Sequence, residues 1–331
     1  MTRVRAFLVA LALACASCST PEPPMPTRTP PTPTPPASQP FSAFAPLKGG
    51  SAMAIAPGDR LVALHSKIAT WWDHDTPVEV VLPDLPVDGS RWMADGKRLR
   101  VGLGTLDLAA RAWSPEPTLQ IWNQRRKPVS AVAWFANDTH VAIEIGPPPQ
   151  LVDRPTVKRT LELVVAAAAD GKPRGRLALE PGVTAKLAAS EDRVIVAGAK
   201  TLVVDLDAKV VAGPSGLPDS PSRVAFGAGM FAVTGHAGEV TLVRPIDGAV
   251  LATWQTDTQA IDAVPVPHGV VSVDIKGTVR VGCLESAKIR TVAEVSSGSF
   301  GLIVQLVGDR IIVVDGSANP IRWATFANPC H

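Results

Sequence analysis

Short apolar runs alternate with turn residues along most of this chain, and helical periodicity is almost absent after the first twenty residues. The runs are about five to eight residues long, are rich in Val, Ile and Thr, and end at Gly, Asp, Pro or Ser. This composition and spacing are typical of β-strands separated by turns. The pattern therefore predicts an all-β fold.

A unit of about 40 residues repeats seven times along this pattern. Each unit has a strand of small and apolar residues, a turn with Gly, Asp or Asn, a strongly apolar strand, and then two further strand-like runs. The units begin at Ser51, Gly89, Val129, Gly182, Ser220, Ala260 and Gly298, at intervals of 38, 40, 53, 38, 40 and 38 residues. Four strands per repeated unit are typical of propeller blades. The sequence therefore predicts a β-propeller with seven four-stranded antiparallel blades.

Three segments carry a resemblance to known repeat families. SRWMADGKRL (Ser90–Leu99) and SAVAWFANDTHVAI (Ser130–Ile143) resemble the innermost strand, turn and second strand of WD-type repeats. GHAGEVTLVRPIDGAVLATW (Gly235–Trp254) is similar to the rest of such a repeat. It also resembles the quinoprotein-type repeat, in which an Asp, a Gly and a closing Trp mark the outer hairpin. The resemblance covers essentially all of Phe41–His331, implies a propeller, and leaves the subfamily open.

The two ends of the repeated region indicate how the ring closes. The seventh unit has strand-like runs near residues 301–307, 310–314 and 321–326, and its fourth strand is missing. The run FSAFAPLKG (Phe41–Gly49) precedes the first unit and is a candidate for that strand. Pairing of the first and last strands removes exposed sheet edges, and the resemblance to WD-type propellers implies closure of this kind.

The first residues resemble a bacterial lipoprotein signal. Arg3 and Arg5 form a basic start, and residues 6–14 form an apolar run that is too short to span a bilayer. The sequence LALAC, which ends at Cys15, resembles the lipobox and implies cleavage before Cys15 and diacylglyceryl modification of that residue. Cys18 is the alternative lipidation site, and an ordinary cleaved signal with incidental cysteines also stays open.

A proline-rich segment follows the signal and predicts a tether. Between Thr20 and Pro40 the chain reads TPEPPMPTRTPPTPTPPASQP, which has no apolar periodicity and is expected to be extended and disordered. The predicted organisation is a signal peptide at 1–14, a lipid-anchored linker at 15–40 and a propeller at 41–331. Because Ala16 rather than Asp would follow the modified cysteine, the resemblance implies a cell-envelope protein of the outer membrane in a Gram-negative host.

Charge narrows the classes of partner. A net charge of +2, with no block of Lys or Arg interleaved with aromatic residues, makes nucleic acid a poor partner. Propellers bind through loops at the faces of the ring, so the chain is expected to be a monomeric propeller that binds unidentified proteins. QRRK (Gln124–Lys127) and the insertion Gly146–Arg159 make one rim the expected contact surface, with a solvated basic turn as the alternative.

The stretch TWWDHD (Thr70–Asp75) is the only place where an imidazole stands between two carboxylates. Metal ligation needs three or four converging ligands, and no partner histidine is identifiable. Its Trp72–Asp73 pair stands where WD-type repeats end their third strand, and Asp73 would then accept hydrogen bonds from turn amides. The segment is therefore interpreted as the end of a strand, and no catalytic, cofactor-binding or metal-binding residue is predicted.

Cys283 and Cys330 are the two cysteines of the predicted propeller. Cys283 ends the third strand of the sixth unit, and Cys330 follows the third strand of the seventh. A disulfide between neighbouring blades is one prediction, and two separate buried thiols are the other.

Two further functions stay open beside protein binding or scaffolding without catalysis. One is a role like that of the propeller lipoproteins that assist outer-membrane protein insertion, although that family usually has eight blades. The other is a periplasmic propeller enzyme that depends on a quinone or a metal. A cluster of His, Asp and Glu at the channel would favour the enzyme, because the fold alone implies no activity.

Overall fold

The computed structural model describes residues 42–43, 52–56, 60–64, 67–73, 76–83, 89–93, 95–123, 128–146, 161–180, 185–219, 221–286, 288–295, 302–307, 310–315 and 322–330. The predicted signal peptide at 1–14 and the predicted linker at 15–40 lie outside these residues. In the described part of the chain, no helix is long and apolar enough to cross a membrane.

The described residues form β-strands and one 3₁₀ helix, Pro117–Trp122, between β9 and β10. In chain order the strands are β1 (Ser42–Ala43), β2 (Ala52–Ala56), β3 (Arg60–Leu64), β4 (Ile68–Asp73), β5 (Thr76–Val81), β6 (Arg91–Trp92), β7 (Arg98–Val101), β8 (Gly104–Asp107), β9 (Ala112–Pro115), β10 (Val129–Trp134), β11 (His140–Ile145), β12 (Leu161–Ala167), β13 (Pro173–Leu179), β14 (Lys186–Ala189), β15 (Arg193–Ala197), β16 (Thr201–Asp205), β17 (Val210–Ala212), β18 (Pro221–Gly227), β19 (Met230–Gly235), β20 (Glu239–Val243), β21 (Val250–Gln255), β22 (Ala260–Val266), β23 (Gly269–Asp274), β24 (Thr278–Cys283), β25 (Ile289–Glu294), β26 (Leu302–Val307), β27 (Arg310–Asp315) and β28 (Arg322–Ala327).

These strands pair into four-stranded antiparallel sheets. Six sheets are each built from four consecutive strands: β2–β5, β6–β9, β10–β13, β14–β17, β18–β21 and β22–β25. A further sheet, here termed the composite sheet, has the order β1-β28-β27-β26. The predicted propeller of four-stranded antiparallel blades is thus confirmed, and the predicted number of blades is corrected from seven to six. Six blades are continuous in the chain, and the remaining sheet borrows a strand from the N-terminal side.

The inner strand is the first strand of each continuous blade and β26 of the composite sheet, and these strands lie side by side around a central channel. β10 contacts β14, β14 contacts β18, β18 contacts β22, β22 contacts β26, and β26 contacts β2. Each continuous blade runs outward from its inner strand, so its two middle strands are covered on both faces by neighbouring blades. This explains why the middle strands are mostly apolar, since every residue of β19 and of β23 is buried.

The core therefore lies between adjacent blades. Phe135 and Leu163 of one blade pack with Val194 and Val204 of the next. The blade β6–β9 is the smallest, with strands of two to four residues. The 3₁₀ helix that follows it supplies two buried side chains, Leu119 and Trp122, to the core of the blade β10–β13. The helix thus contributes apolar surface that the short strands do not provide.

Candidate binding site at the central channel

The inner strands enclose a cavity of about 300 Å³, here termed the channel chamber. Its polar lining residues are Ser90, Arg91, Arg223, Asp262 and Gln305, and its apolar wall includes Leu187, Val224, Phe226, Val264, Ile303 and Leu306. A smaller cavity of about 70 Å³ meets the chamber at Arg223 and is lined by Ser130, Lys186 and Ser222. The chamber therefore combines apolar surface with two guanidinium groups.

An ion pair between Arg223 and Asp262 lies where the two cavities meet. Arg223 Nε is 2.8 Å from Asp262 Oδ1, and Asp262 Oδ2 accepts a hydrogen bond of 2.9 Å from the backbone N–H of Val304. Asp262 is buried, whereas 35% of the Arg223 side chain is exposed. Burial raises the pKa of Asp262, and the Arg223 charge opposes that shift. The carboxylate thus joins the inner strands β18, β22 and β26.

Glu144 makes a second tie between blades beside the smaller cavity. Its side chain is fully buried. Oε1 accepts a hydrogen bond of 2.6 Å from Ser130 Oγ, and Oε2 accepts one of 2.7 Å from the backbone N–H of Ala185. Burial raises the pKa of Glu144, while these hydrogen bonds and the Lys186 charge act against the rise. Glu144 therefore joins the blade β10–β13 to the blade β14–β17.

Arg91 brings the second guanidinium to the chamber. Its Nη1 donates a hydrogen bond of 2.7 Å to the carbonyl oxygen of Phe135 and lies 4.0 Å from Asp138 Oδ1. The Arg100 guanidinium lies 4.1 Å from the centre of the Trp134 ring and 3.7 Å from the same Asp138 oxygen. Burial lowers the pKa of Arg91, and the Asp138 charge opposes this. Arg91 is thus held by the next blade, while 33% of its side chain is exposed.

This arrangement favours binding of an apolar and acidic group. The Asp262 and Glu144 carboxylates each accept hydrogen bonds from the protein itself. The guanidinium groups of Arg91 and Arg223 are partly exposed, and guanidinium groups pair well with carboxylates. Within the described ranges, no group of three or more His, Cys, Asp or Glu residues is placed to hold a metal ion.

The structure places part of TWWDHD at the end of a strand. Trp72 and Asp73 are the last two residues of β4, whereas His74 and Asp75 lie outside the described residues. The third strands β8 and β16 also end in aspartates, Asp107 and Asp205. Each of these accepts two turn N–H groups, from Ala109 and Ala110 or from Asp207 and Lys209. Asp73 stands at the same place in its blade, at the end of the third strand, and its interpretation as a residue that accepts turn hydrogen bonds stays a prediction.

The residues predicted for one rim lie mostly outside the described part. Gln124–Lys127 is wholly outside it, and so are residues 147–159 of the insertion Gly146–Arg159. The described histidines lie in separate blades: His140 begins β11, whereas His236 and His268 lie in turns of two other blades. His140 Nδ1 lies 2.7 Å from Thr139 Oγ1, and His236 Nδ1 lies 2.7 Å from Gln259 Nε2. The described histidines are therefore not brought together at the chamber.

Cys283 and Cys330 are joined by a disulfide with their Cα atoms 5.5 Å apart. Of the two alternatives that the sequence left open, the structure thus has the bond between neighbouring sheets rather than two separate thiols. Cys15 and Cys18, the two lipidation candidates, lie outside the described residues.

Sequence reasoning missed the residues that form the chamber. Arg223 and Asp262 both follow a register shift in the inner strands of adjacent blades, so they occupy equivalent positions in the units that begin at Ser220 and Ala260. An alignment of those two units by their second strands would have placed opposite charges side by side. Glu144 carried a weaker signal, a single acid among the apolar residues that follow His140 in β11.

No protein-family model and no curated protein matches the chain. Among solved structures, it is similar to a chain of the mitotic checkpoint complex, at 13% identity and a TM-score of 0.61 over 99% of both chains. It is similar to the WD40 β-propeller domain of Doa1, at 15% identity and a TM-score of 0.58, over 87% of this chain and 97% of that one. A structure of U3-55K matches at 12% identity and a TM-score of 0.59, over 86% and 98%. These likenesses establish a WD40-like propeller fold.

Proposed function

We propose that this chain is a protein-binding module of the bacterial cell envelope, and that its partner enters the channel chamber. The observation that carries the proposal is the chamber itself, in which the partly exposed Arg91 and Arg223 stand beside an apolar wall. An acidic side chain or a C-terminal carboxylate next to an apolar residue would pair with the guanidinium groups and pack against the apolar wall. The WD40-like fold supports the same role by analogy.

Photo-crosslinking from two positions tests this function. A photoreactive residue at Glu191, whose charge acts on Arg91, should capture the partner in intact envelopes. The same residue at Val81, which is 80% exposed on the outer strand β5, should not. Arg91→Gln should reduce capture from the first position at least about tenfold, as loss of a charge-assisted contact would. Lys209→Gln, on an exposed outer turn, is the matched control. Equal capture from both positions, unaffected by Arg91→Gln, would refute the proposal.

The envelope location is proposed from the N-terminal sequence. LALAC ending at Cys15 supports lipidation at that residue, which would hold the propeller to a membrane through the proline-rich linker. Mass spectrometry of the N-terminal peptide should find a diacylglyceryl group on Cys15. Cys15→Ser should release the protein from the membrane fraction, and Cys18→Ser should not. The reverse result would move the lipidation site to Cys18.

We also propose that the composite sheet acts as the seventh blade of a closed ring. The pairing of β1 with β28 and the contact of β26 with β2 support it. Deletion of the chain up to Gly50 should lower the unfolding temperature of the whole propeller, because it removes the strand that completes this sheet. Deletion up to Ala37 is the control. An unchanged transition after the longer deletion would refute closure by β1.

The outer-membrane assembly role and the quinone- or metal-dependent enzyme stay predictions. Neither gains a specific observation among the described residues, and the crosslinked partner from the experiment above would decide the first.

A further inference from the structure

The composite sheet is completed by a short backbone pairing. β1 contributes two residues, with Ser42 opposite Trp323 and Ala43 opposite Arg322. By comparison, β27 and β28 pair over six residue positions, from Arg310 to Asp315. Among the described residues, the pairing at β1 is therefore the shortest backbone pairing of this sheet.

A C-terminal tail ties the same sheet to the blade β22–β25. After β28 the chain crosses to that blade, where Asn328 Nδ2 donates a hydrogen bond of 3.1 Å to the Pro267 carbonyl. Arg290 Nη2 donates one of 3.0 Å to the Pro329 carbonyl. The tail ends in the disulfide between Cys330 and Cys283, the last residue of β24.

The blade provides a shaped place for the tail. Gly269 lies opposite Cys283 in the β23–β24 ladder, and a Cβ atom at Gly269 would lie 2.8 Å from the Cys330 sulfur. The missing side chain therefore makes room for that sulfur. Cys330 is buried at 3% exposure, whereas Cys283 is partly exposed, so Cys283 is the more exposed of the two bonded residues.

We propose that the Cys283–Cys330 disulfide is a redox-sensitive clasp that holds the composite sheet in the ring. The two cysteines are 47 residues apart in the sequence. The segment between them contains β25 and the three strands β26, β27 and β28 of the composite sheet. It fixes the sheet to the blade β22–β25 independently of the short pairing at β1. Because Ile303, Gln305 and Leu306 of β26 line the channel chamber, release of the clasp loosens one wall of the chamber.

The reaction needs a dithiol reductant. One of its thiolates attacks the Cys283 sulfur, the S–S bond breaks, and the electron pair leaves on the Cys330 sulfur, which takes up a proton. The second thiol of the reductant then displaces Cys283, which is protonated, and the reductant becomes a disulfide. Two electrons pass to the protein, and the tail keeps its hydrogen bonds at Asn328 and Arg290 but loses its covalent link.

Hydrogen exchange of the full chain, with and without dithiothreitol, tests the clasp. Reduction should raise exchange in peptides of β26–β28 on the order of tenfold, and leave peptides of β14–β17 unchanged, since local opening is confined to the released segment. Cys283→Ser with Cys330→Ser should reproduce the reduced pattern. Cys15→Ser with Cys18→Ser is the matched control and should respond to dithiothreitol like the unaltered chain.

A further variant distinguishes the contribution of the disulfide from that of the hydrogen bonds of the tail. Asn328→Ala should change exchange little in the oxidised chain and increase the effect of reduction. If reduction of the unaltered chain leaves β26–β28 protected, or speeds exchange equally in every blade, the clasp proposal is overturned. The reduced unaltered chain gives this answer even if the serine variants fail to fold.

Discussion

Asp262→Ala removes the carboxylate that joins three inner strands at the channel. The backbone N–H of Val304, a residue only 3% exposed, loses its acceptor at 2.9 Å. An unsatisfied buried N–H costs about 1–3 kcal/mol. The ion pair between Arg223 and Asp262 is lost as well, but because the Arg223 side chain is 35% exposed, solvent screening limits that loss to about 1 kcal/mol or less. The free energy of unfolding should therefore fall by about 1–4 kcal/mol.

Urea unfolding followed by tryptophan fluorescence measures this loss. Glu162→Ala is the matched control, because Glu162 pairs with Arg176 at 3.0 Å on the surface, with the two side chains 27% and 46% exposed. Removal of such a pair should cost about 0.5 kcal/mol or less. Asp262→Asn keeps an acceptor for the Val304 N–H and should lose less than Asp262→Ala. If Asp262→Ala and Glu162→Ala lower stability equally, the channel carboxylate does not hold the inner strands together.

The same assay tests three further changes. Burial raises the folded-state pKa of Glu144 above its ordinary 4.5, so the unaltered chain loses stability as pH rises from 4.5 through that pKa. Gln does not titrate at position 144, so the free energy of unfolding of Glu144→Gln relative to the unaltered chain should rise over that pH range. A difference that does not change with pH would contradict this. Gly175→Ala should cost about 1–3 kcal/mol, since its Cβ would lie 1.8 Å from a backbone oxygen of the next blade. Gly213→Ala, whose Cβ meets only a side-chain atom at 3.8 Å, should be nearly neutral, and equal costs would refute the close approach. Trp134→Phe removes a buried hydrogen bond of 2.8 Å and should cost about 1–2 kcal/mol, whereas no loss would show that the bond contributes nothing.

The sequence predicted the strands well because the geometry of a propeller acts on each blade locally. A middle strand covered on both faces is buried throughout and mostly apolar, as MFAVTG in β19 and GVVSVD in β23 are. Turn aspartates recur at fixed places for the same reason, since Asp107 and Asp205 each accept N–H groups within their own turn.

The chamber could not be predicted in the same way. Arg223 and Asp262 are 39 positions apart in the numbering, and each follows a register shift in its inner strand. Such shifts are set by pairing with the second strand and leave no distinct residue pattern. The small size of the blade β6–β9 was also not predicted. Leu119 and Trp122 of the 3₁₀ helix supply part of the apolar surface that its short strands lack.

The pairing of β1 with β28 places Ser42 directly opposite Trp323. The first described strand of the propeller, β1, therefore lies next to its last strand, β28. Joining the two by a short linker and opening the chain at the exposed turn Ala228–Gly229 would leave every strand with the same neighbours. The order of blades along the polypeptide is thus only one of several circular permutations compatible with this architecture.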